Sequence, residues 1–291
     1  MSFETFLLDH ESVIRFGFFL GTFALMALWE VLAPLRVAGT SKAIRWPNHV
    51  MLAAMNVVLI RVLFPLAAVA LAVYAGERGI GLFNLIPIPY LLAFLVSLLA
   101  LDLTIYLFHL LFHAVPALWR VHRVHHADLD IDVTTGVRFH PIQMALSVIV
   151  KSIVVVVLGP PALSVLAFEV ASHAITLFNH GNVRIPSSLD RVLRWLVVTP
   201  DMHRIHHSVH RSETDSNFGF VFPWWDRMFG TYRAEPAAGQ TRMVVGIESF
   251  RTDRDLWLDR LVINPILGEG DSRVIAPSTP AAERQSSKLS N

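Results

Sequence analysis

The sequence predicts an all-α integral membrane protein, on three observations. Of its 291 residues, 54% are hydrophobic, only 16% are charged, and the apolar residues gather into runs of membrane-spanning length. Soluble domains carry about 25% charged residues, and about 20 residues of helix cross the roughly 30 Å of bilayer hydrocarbon. A net charge of +1, with no basic stripe interleaved with aromatics, excludes a nucleic-acid partner. The absence of cysteine excludes disulfides, thiolate nucleophiles, iron–sulfur clusters and Cys-type zinc sites. The opening "MSFETFLLDHESVIRF" carries acids where a secretory signal carries positive charge, so the first apolar run is expected to be retained as a span.

Three long transmembrane helices are expected: 16–35 with Glu30 near its end, 50–74 with Arg61 inside, and 90–112 with Asp102 inside. Arg61 is expected to pair with a carboxylate or to snorkel. A fourth apolar stretch, 142–178, is interrupted by "GPP" at Gly159–Pro161. Proline removes a helix donor and clashes with the preceding turn, so this stretch reads as a short helical hairpin, spanning or only shallowly inserted. The loop holding Arg36, Lys42 and Arg45 carries no acid, which by the positive-inside rule makes it cytoplasmic. Three crossings then bring the chain after Phe112 to the cytoplasmic face. Beyond Val198 the pattern turns irregular, with Trp224, Trp225 and Phe229 suggesting a cytosolic helical cap at the interface. The expected organisation is 1–88 as N-terminal transmembrane helices, 89–235 as the catalytic region, 236–267 as a cap segment and 268–291 as a disordered tail.

Twelve of the fourteen histidines fall between His109 and His210. They form three boxes: "HLLFH" (His109, His113), "HRVHH" (His122, His125, His126) and "HRIHH" (His203, His206, His207). On a helix an i, i+3, i+4 triplet spreads over about 100° of arc, so each box is expected to aim its rings at one locus. Eight imidazoles exceed what one ion can use, so two ions are implied. Imidazole suits Zn, Cu, Fe and Ni alike, and ligand count does not choose among them. An even-numbered hairpin crossing returns the chain to its starting side, so all three boxes should meet on one face. His140, before a proline, and His180, in a polar break, are also expected ligands. His173 is evenly balanced, and His10, His49 and His210 read as structural. Asp102, Glu169 and Asp201 are candidate acceptors for imidazole N–H groups, Asp102 foremost, because a carboxylate within a span is otherwise costly.

"HLLFHAVPALWRVHRVHHAD", "RFHP", "NHGNVRIP", "TPDMHRIHHS", "ETDSNFG" and "WWDRMFGTY" together resemble the fatty acid hydroxylase superfamily, also called the sterol desaturase family. The resemblance covers about 99–233. It implies a membrane-bound non-haem di-iron enzyme that uses O2 to hydroxylate or desaturate an unactivated C–H bond of a lipid. It also implies that the boxed histidines are catalytic iron ligands, with His140 and His180 matching the family's isolated histidines. A hydroxylase is preferred, by resemblance alone. No fused haem-binding donor domain or endoplasmic-reticulum retention signal is seen, so a separate ferredoxin or reductase and a bacterial inner membrane are expected. Two rivals stand beside this reading: a bis-histidine haem electron carrier and a zinc or copper transporter or sensor. The first places its histidines on facing helices within the bilayer, the second near the midplane.

Overall fold

The computed structural model describes residues 2–65 and 68–268, and among these there is no β-strand. The expected disordered tail lies, apart from Gly268, outside the described residues. The chain opens with α1 (Phe3–Asp9) and α2 (Glu11–Leu32). It continues through α3 (Lys42–Leu63), α4 (Ala68–Glu77), α5 (Leu82–Leu85) and α6 (Tyr90–Ala114). After α6 a short break leads into α7 (Pro116–His126), then α8 (Pro141–Leu158) and α9 (Ala162–Asn179). Shorter helices follow: α10 (Ser187–Leu193), α11 (Pro200–His206), α12 (Arg211–Thr214), α13 (Trp224–Met228) and α14 (Leu258–Ile263). Five helical stretches are long and apolar enough to cross a membrane, so the chain fits a multi-pass membrane protein. The outward apolar side chains of α2, among them Phe16, Phe18, Leu25 and Leu28, are exposed, as a lipid-facing surface requires and a water-facing one does not tolerate.

The expected second span is not one helix. The chain leaves α3 at Phe64, before Pro65, and helix resumes at Ala68, because proline has no N–H to continue the ladder. The inner side of α3 is polar, with Arg45, Asn48 and His49 buried in its first half and Asn56 in its second. Arg45 therefore belongs to a packed helix rather than a free loop. It binds Asp128 at 2.8 Å and Asp132 at 2.6 Å, and Arg138 reaches Asp128 at 3.0 Å. His49, whose Nδ1 lies 3.0 Å from Thr134 Oγ1, completes this knot and is structural as expected.

The hairpin runs the full depth of the bundle. Its turn at Gly159 adopts φ 59°, a left-handed conformation that glycine takes without a Cβ clash, and Asn84 Nδ2 donates to Gly159 O at 3.3 Å. The contact pins the turn to the α5 end of the bundle, where α6 begins. At the opposite end, Glu30 Oε1 accepts from the N–H groups of Val133 (2.7 Å) and Asn182 (2.9 Å), joining α2 to the loops on either side of the hairpin. The pieces bearing histidine thus assemble at one end. Arg61, in the last turn of α3, is exposed.

Candidate metal centre

The histidines converge on two adjacent groups. His109, His113, His122, His126 and His206 form one; His125, His180, His203 and His207 form the other. All nine are buried, and within each group one nitrogen per ring lies within 4.8 Å of the rest.

The expectation that each box aims at one locus needs correction. Each H-x-x-H-H box divides between the groups, because helix positions i and i+4 differ by about 40° whereas i+3 lies about 60° to the other side. In the box on α7, His122 and His126 enter the five-histidine group and His125 the other. In the box on α11 the assignment is reversed: His203 and His207 enter the four-histidine group and His206 the five. The two boxes therefore interlock, with the rings of His126 and His207 stacked 4.6 Å apart. The last two turns of α6 add His109 and His113 on one side, and the end of α9 adds His180 on the other.

Ring hydrogen bonds fix which nitrogens face inward. His109 Nδ1 donates to Phe218 O at 2.9 Å, His206 Nδ1 to Ser216 O at 2.8 Å and His180 Nδ1 to Thr176 O at 2.7 Å. His113 Nδ1 lies 3.2 Å from Asp215 Oδ1, and His122 Nδ1 lies 3.1 Å from Gln143 Oε1. With Nδ1 protonated, each of these rings points a bare Nε2 lone pair at its group. The Nε2 atoms of His109 and His122 face each other at 3.1 Å, as do those of His180 and His203. The Nε2 atoms of His113, His206 and His207 have no hydrogen-bond partner among the described residues.

Electrostatics agree. Burial, the largest cause, holds His122, His125, His126, His203, His206 and His207 well below the ordinary imidazole range, the neighbouring rings push the same way, and His180 falls to about 4. Neutral rings with opposed lone pairs repel unless a cation lies between them. A spacing of 3.1 Å suits neighbouring ligands on an ion with bonds of about 2.1 Å. The donor set thus fits two metal ions, five and four imidazoles respectively.

His140 stands apart from both groups, contrary to the expectation. As the N-cap of α8 its Nδ1 accepts from Ile142 N (3.2 Å), and its Nε2 donates to Val262 O (3.0 Å), which leaves no lone pair for a metal. His173 also lies outside the groups, edge-on to Phe19. None of the three expected carboxylates accepts from a boxed imidazole. Asp102 takes the N–H groups of Val221 (3.0 Å), Phe222 (3.2 Å) and the Trp225 indole (2.8 Å). Glu169 pairs with Arg15 (3.2 Å) and Lys151 (3.3 Å), and Asp201 with Arg204 (2.6 Å).

The acceptors are instead Asp215, Gln143 and the backbone carbonyls of Thr176, Ser216 and Phe218, none of which the sequence marks individually. Three of the four ring acceptors around the five-histidine group, Asp215, Ser216 O and Phe218 O, come from the single short segment "DSNF". Asn217 shapes it, adopting φ 52° while its side chain bonds Met202 O and Arg233. Beneath, Asp226 receives Phe218 N and Gly219 N, both at 2.8 Å. The only signal was the motif "ETDSNFG" itself.

Comparison with known proteins gives a consistent answer. The chain is 29% identical to alkylglycerol monooxygenase of Homo sapiens over 144 residues, covering 48% of this chain and 30% of that protein. It is 29% identical to ornithine lipid hydroxylase OlsE of Rhizobium tropici (53% and 45% covered). With cholesterol 25-hydroxylase of Rattus norvegicus the identity is 30% (53% and 51% covered). The chain thus spans about a third to a half of the length of these relatives. No solved structure matches it. Residues 94–231, which contain all nine convergent histidines, match the family model described as fatty acid hydroxylase, so the whole histidine centre lies within the part of the chain that is similar to that family.

Proposed function

We propose that this chain is a membrane-bound non-haem di-iron oxygenase that inserts oxygen into a C–H bond of a lipid, with O2 as co-substrate and electrons from a separate ferredoxin or reductase. The observation that carries the reading is the pair of interlocked all-histidine groups at one end of a membrane bundle. The proposed iron ligands are His109, His113, His122, His126 and His206 for one ion and His125, His180, His203 and His207 for the other. Bound iron supplies the redox chemistry with O2 that an unactivated C–H bond demands and that acid–base groups cannot provide.

The chain's own residues do the positioning. Five outer acceptors, Phe218 O, Asp215, Gln143, Ser216 O and Thr176 O, hold the rings of His109, His113, His122, His206 and His180 in one tautomer. Phe112 stacks on His122 (5.3 Å) and Phe218 closes over His109, His113 and His206 (5.0–5.5 Å), so the rings are walled from water. Depressed imidazole basicity keeps protons off the nitrogens meant for metal. A lipid reaches this end of the bundle from the bilayer. The named relatives act on an alkylglycerol, an ornithine lipid and cholesterol, which supports a lipid substrate and a hydroxylation outcome.

The histidine end is proposed to face the cytoplasm of a bacterial inner membrane. Exposed Arg120, Arg184, Arg191, Arg211 and Arg242 lie among the histidine-bearing and following segments, against Arg61, Arg78 and Glu77 near the other end. The test is lipid profiling of cells expressing the chain with a competent reductase, beside a His206→Ala variant. A lipid that gains one oxygen only with the parent chain names substrate and reaction. Loss of two hydrogens makes it a desaturase, and an unchanged profile overturns the oxygenase reading.

A further inference from the structure

The segment that orients the metal ligands also runs down into the membrane layer. Helices α8 and α9, of 18 residues each, are about 27 Å long, so two helices that barely match the hydrocarbon thickness must begin and end near its edges. Their ends at Pro141 and Asn179 lie beside the histidine groups, which places those groups at the boundary. Asp102 precedes His109 by seven residues and His113 by eleven, and so sits roughly 10 to 16 Å deeper along α6. Val221, Phe222 and Trp225 all bond to Asp102 at that depth. Val221 also shares a buried core with Leu101 of α6, Val155 of α8 and Phe168 of α9.

Irregular backbone survives in hydrocarbon only if its polar groups are satisfied by protein. Here two buried carboxylates take the N–H groups of Phe218, Gly219, Val221 and Phe222, and Val221 O accepts from Val198 N at 3.1 Å. The outer side of this segment is apolar. Trp195, Leu196, Trp224, Met228 and Phe229 are exposed. Their polar neighbours turn inward: the Trp224 indole donates to Trp195 O at 2.7 Å, and the Arg227 guanidinium caps Pro223 O and Arg194 O while lying over Trp195 and Tyr232.

We propose that Trp195–Leu196 and Trp224–Phe229 form a wedge inserted among the acyl chains of the leaflet on the histidine side. The occupant of this face is bilayer hydrocarbon, because the patch adjoins the lipid-facing spans through Phe229 stacked on Tyr106 of α6, and the Trp224 indole and Arg227 guanidinium within it are turned inward and bonded to backbone carbonyls. The segment that leads into the wedge at Trp224 begins at Phe218, whose carbonyl orients His109, so one stretch of chain joins the lipid-facing residues to a candidate metal ligand. Insertion follows from span depth and does not depend on the reaction proposed above.

The chain has no cysteine, which permits single-site labelling. Leu196→Cys and Met228→Cys lie at positions 55% and 69% exposed, where substitution leaves the core intact, and Glu248→Cys, an exposed residue beside the third histidine box, is the water-facing control. Each full-length variant is labelled with bimane in phosphatidylcholine nanodiscs, and its metal content is checked against the parent chain to confirm folding. The wedge predicts several-fold stronger quenching by brominated acyl chains at 196 and 228 than at 248, and slow reaction there with a membrane-impermeant maleimide. Quenching strongest from a headgroup-attached nitroxide, or maleimide reaction as fast as at 248, overturns insertion.

Discussion

Asp102→Ala tests how far the metal centre depends on a residue that touches no metal ligand. Its carboxylate takes three buried donors, at 3.0, 3.2 and 2.8 Å. Each buried donor left unpaired costs about 1–3 kcal/mol, so removal of the acceptor should destabilise the segment by about 3–9 kcal/mol, with the low end reached if the loop relaxes. Asp102→Asn preserves shape and one oxygen and should cost about 1–3 kcal/mol, since its amide group faces a donor. The disturbance propagates along a short route: the segment held at Val221 and Phe222 begins at Phe218, whose carbonyl fixes the tautomer of His109. The assay is metal content and thermal midpoint of detergent-purified protein. The alanine variant should lose metal first from the five-histidine group and unfold earlier, with the asparagine variant between it and the parent. An alanine variant with parental metal content and midpoint refutes the claim that Asp102 holds the segment supporting His109.

Three other outcomes follow. In metal-free protein the seven cluster histidines outside the spans have folded-state pKa values below their unfolded value of about 6.5, so the unfolded chain binds protons first. Stability is then full above pH 6.5 and lost as pH falls, by up to about 1.4 kcal/mol per pH unit for each histidine, and for His180 the loss levels off below about 4; a thermal midpoint flat between pH 7.5 and 5 contradicts this. Asp128→Asn strips the shared counter-ion from Arg45 and Arg138, both fully buried, and should cost about 3–5 kcal/mol by denaturation, whereas a cost under 1 would refute the knot. Gln143→Leu removes the acceptor for His122 and should weaken metal affinity about 10- to 100-fold, Gln143→Glu restoring it, as read by competition with a chelator.

Features carried by residue type were legible; features carried by backbone or by three-dimensional pairing were not. Clustered imidazoles announced convergent groups able to hold metal, because eight of them at helical spacing have no ordinary structural explanation, and the apolar runs announced the helices long enough to span. The division of each box between two groups was hidden, since one helix fixes the 100° between neighbours but not what stands opposite them. The proline after His140 and the family motif around it both mark it as a ligand, yet its ring is consumed by capping α8 and by Val262 O, a partner 122 residues away. A carboxylate within a span marks Asp102 as too costly to be idle but does not name its donors, because backbone N–H groups of residues 221 and 222 leave no mark in a sequence. Most of the outer acceptors are carbonyls, which every residue possesses.

The most direct test of the account is the metal content of purified protein by mass spectrometry, with the visible spectrum recorded alongside. Two non-haem iron ions per chain are predicted, two still in His140→Ala and one in His203→Ala. One ion or none in the parent chain, or a Soret band, contradicts the two-group centre.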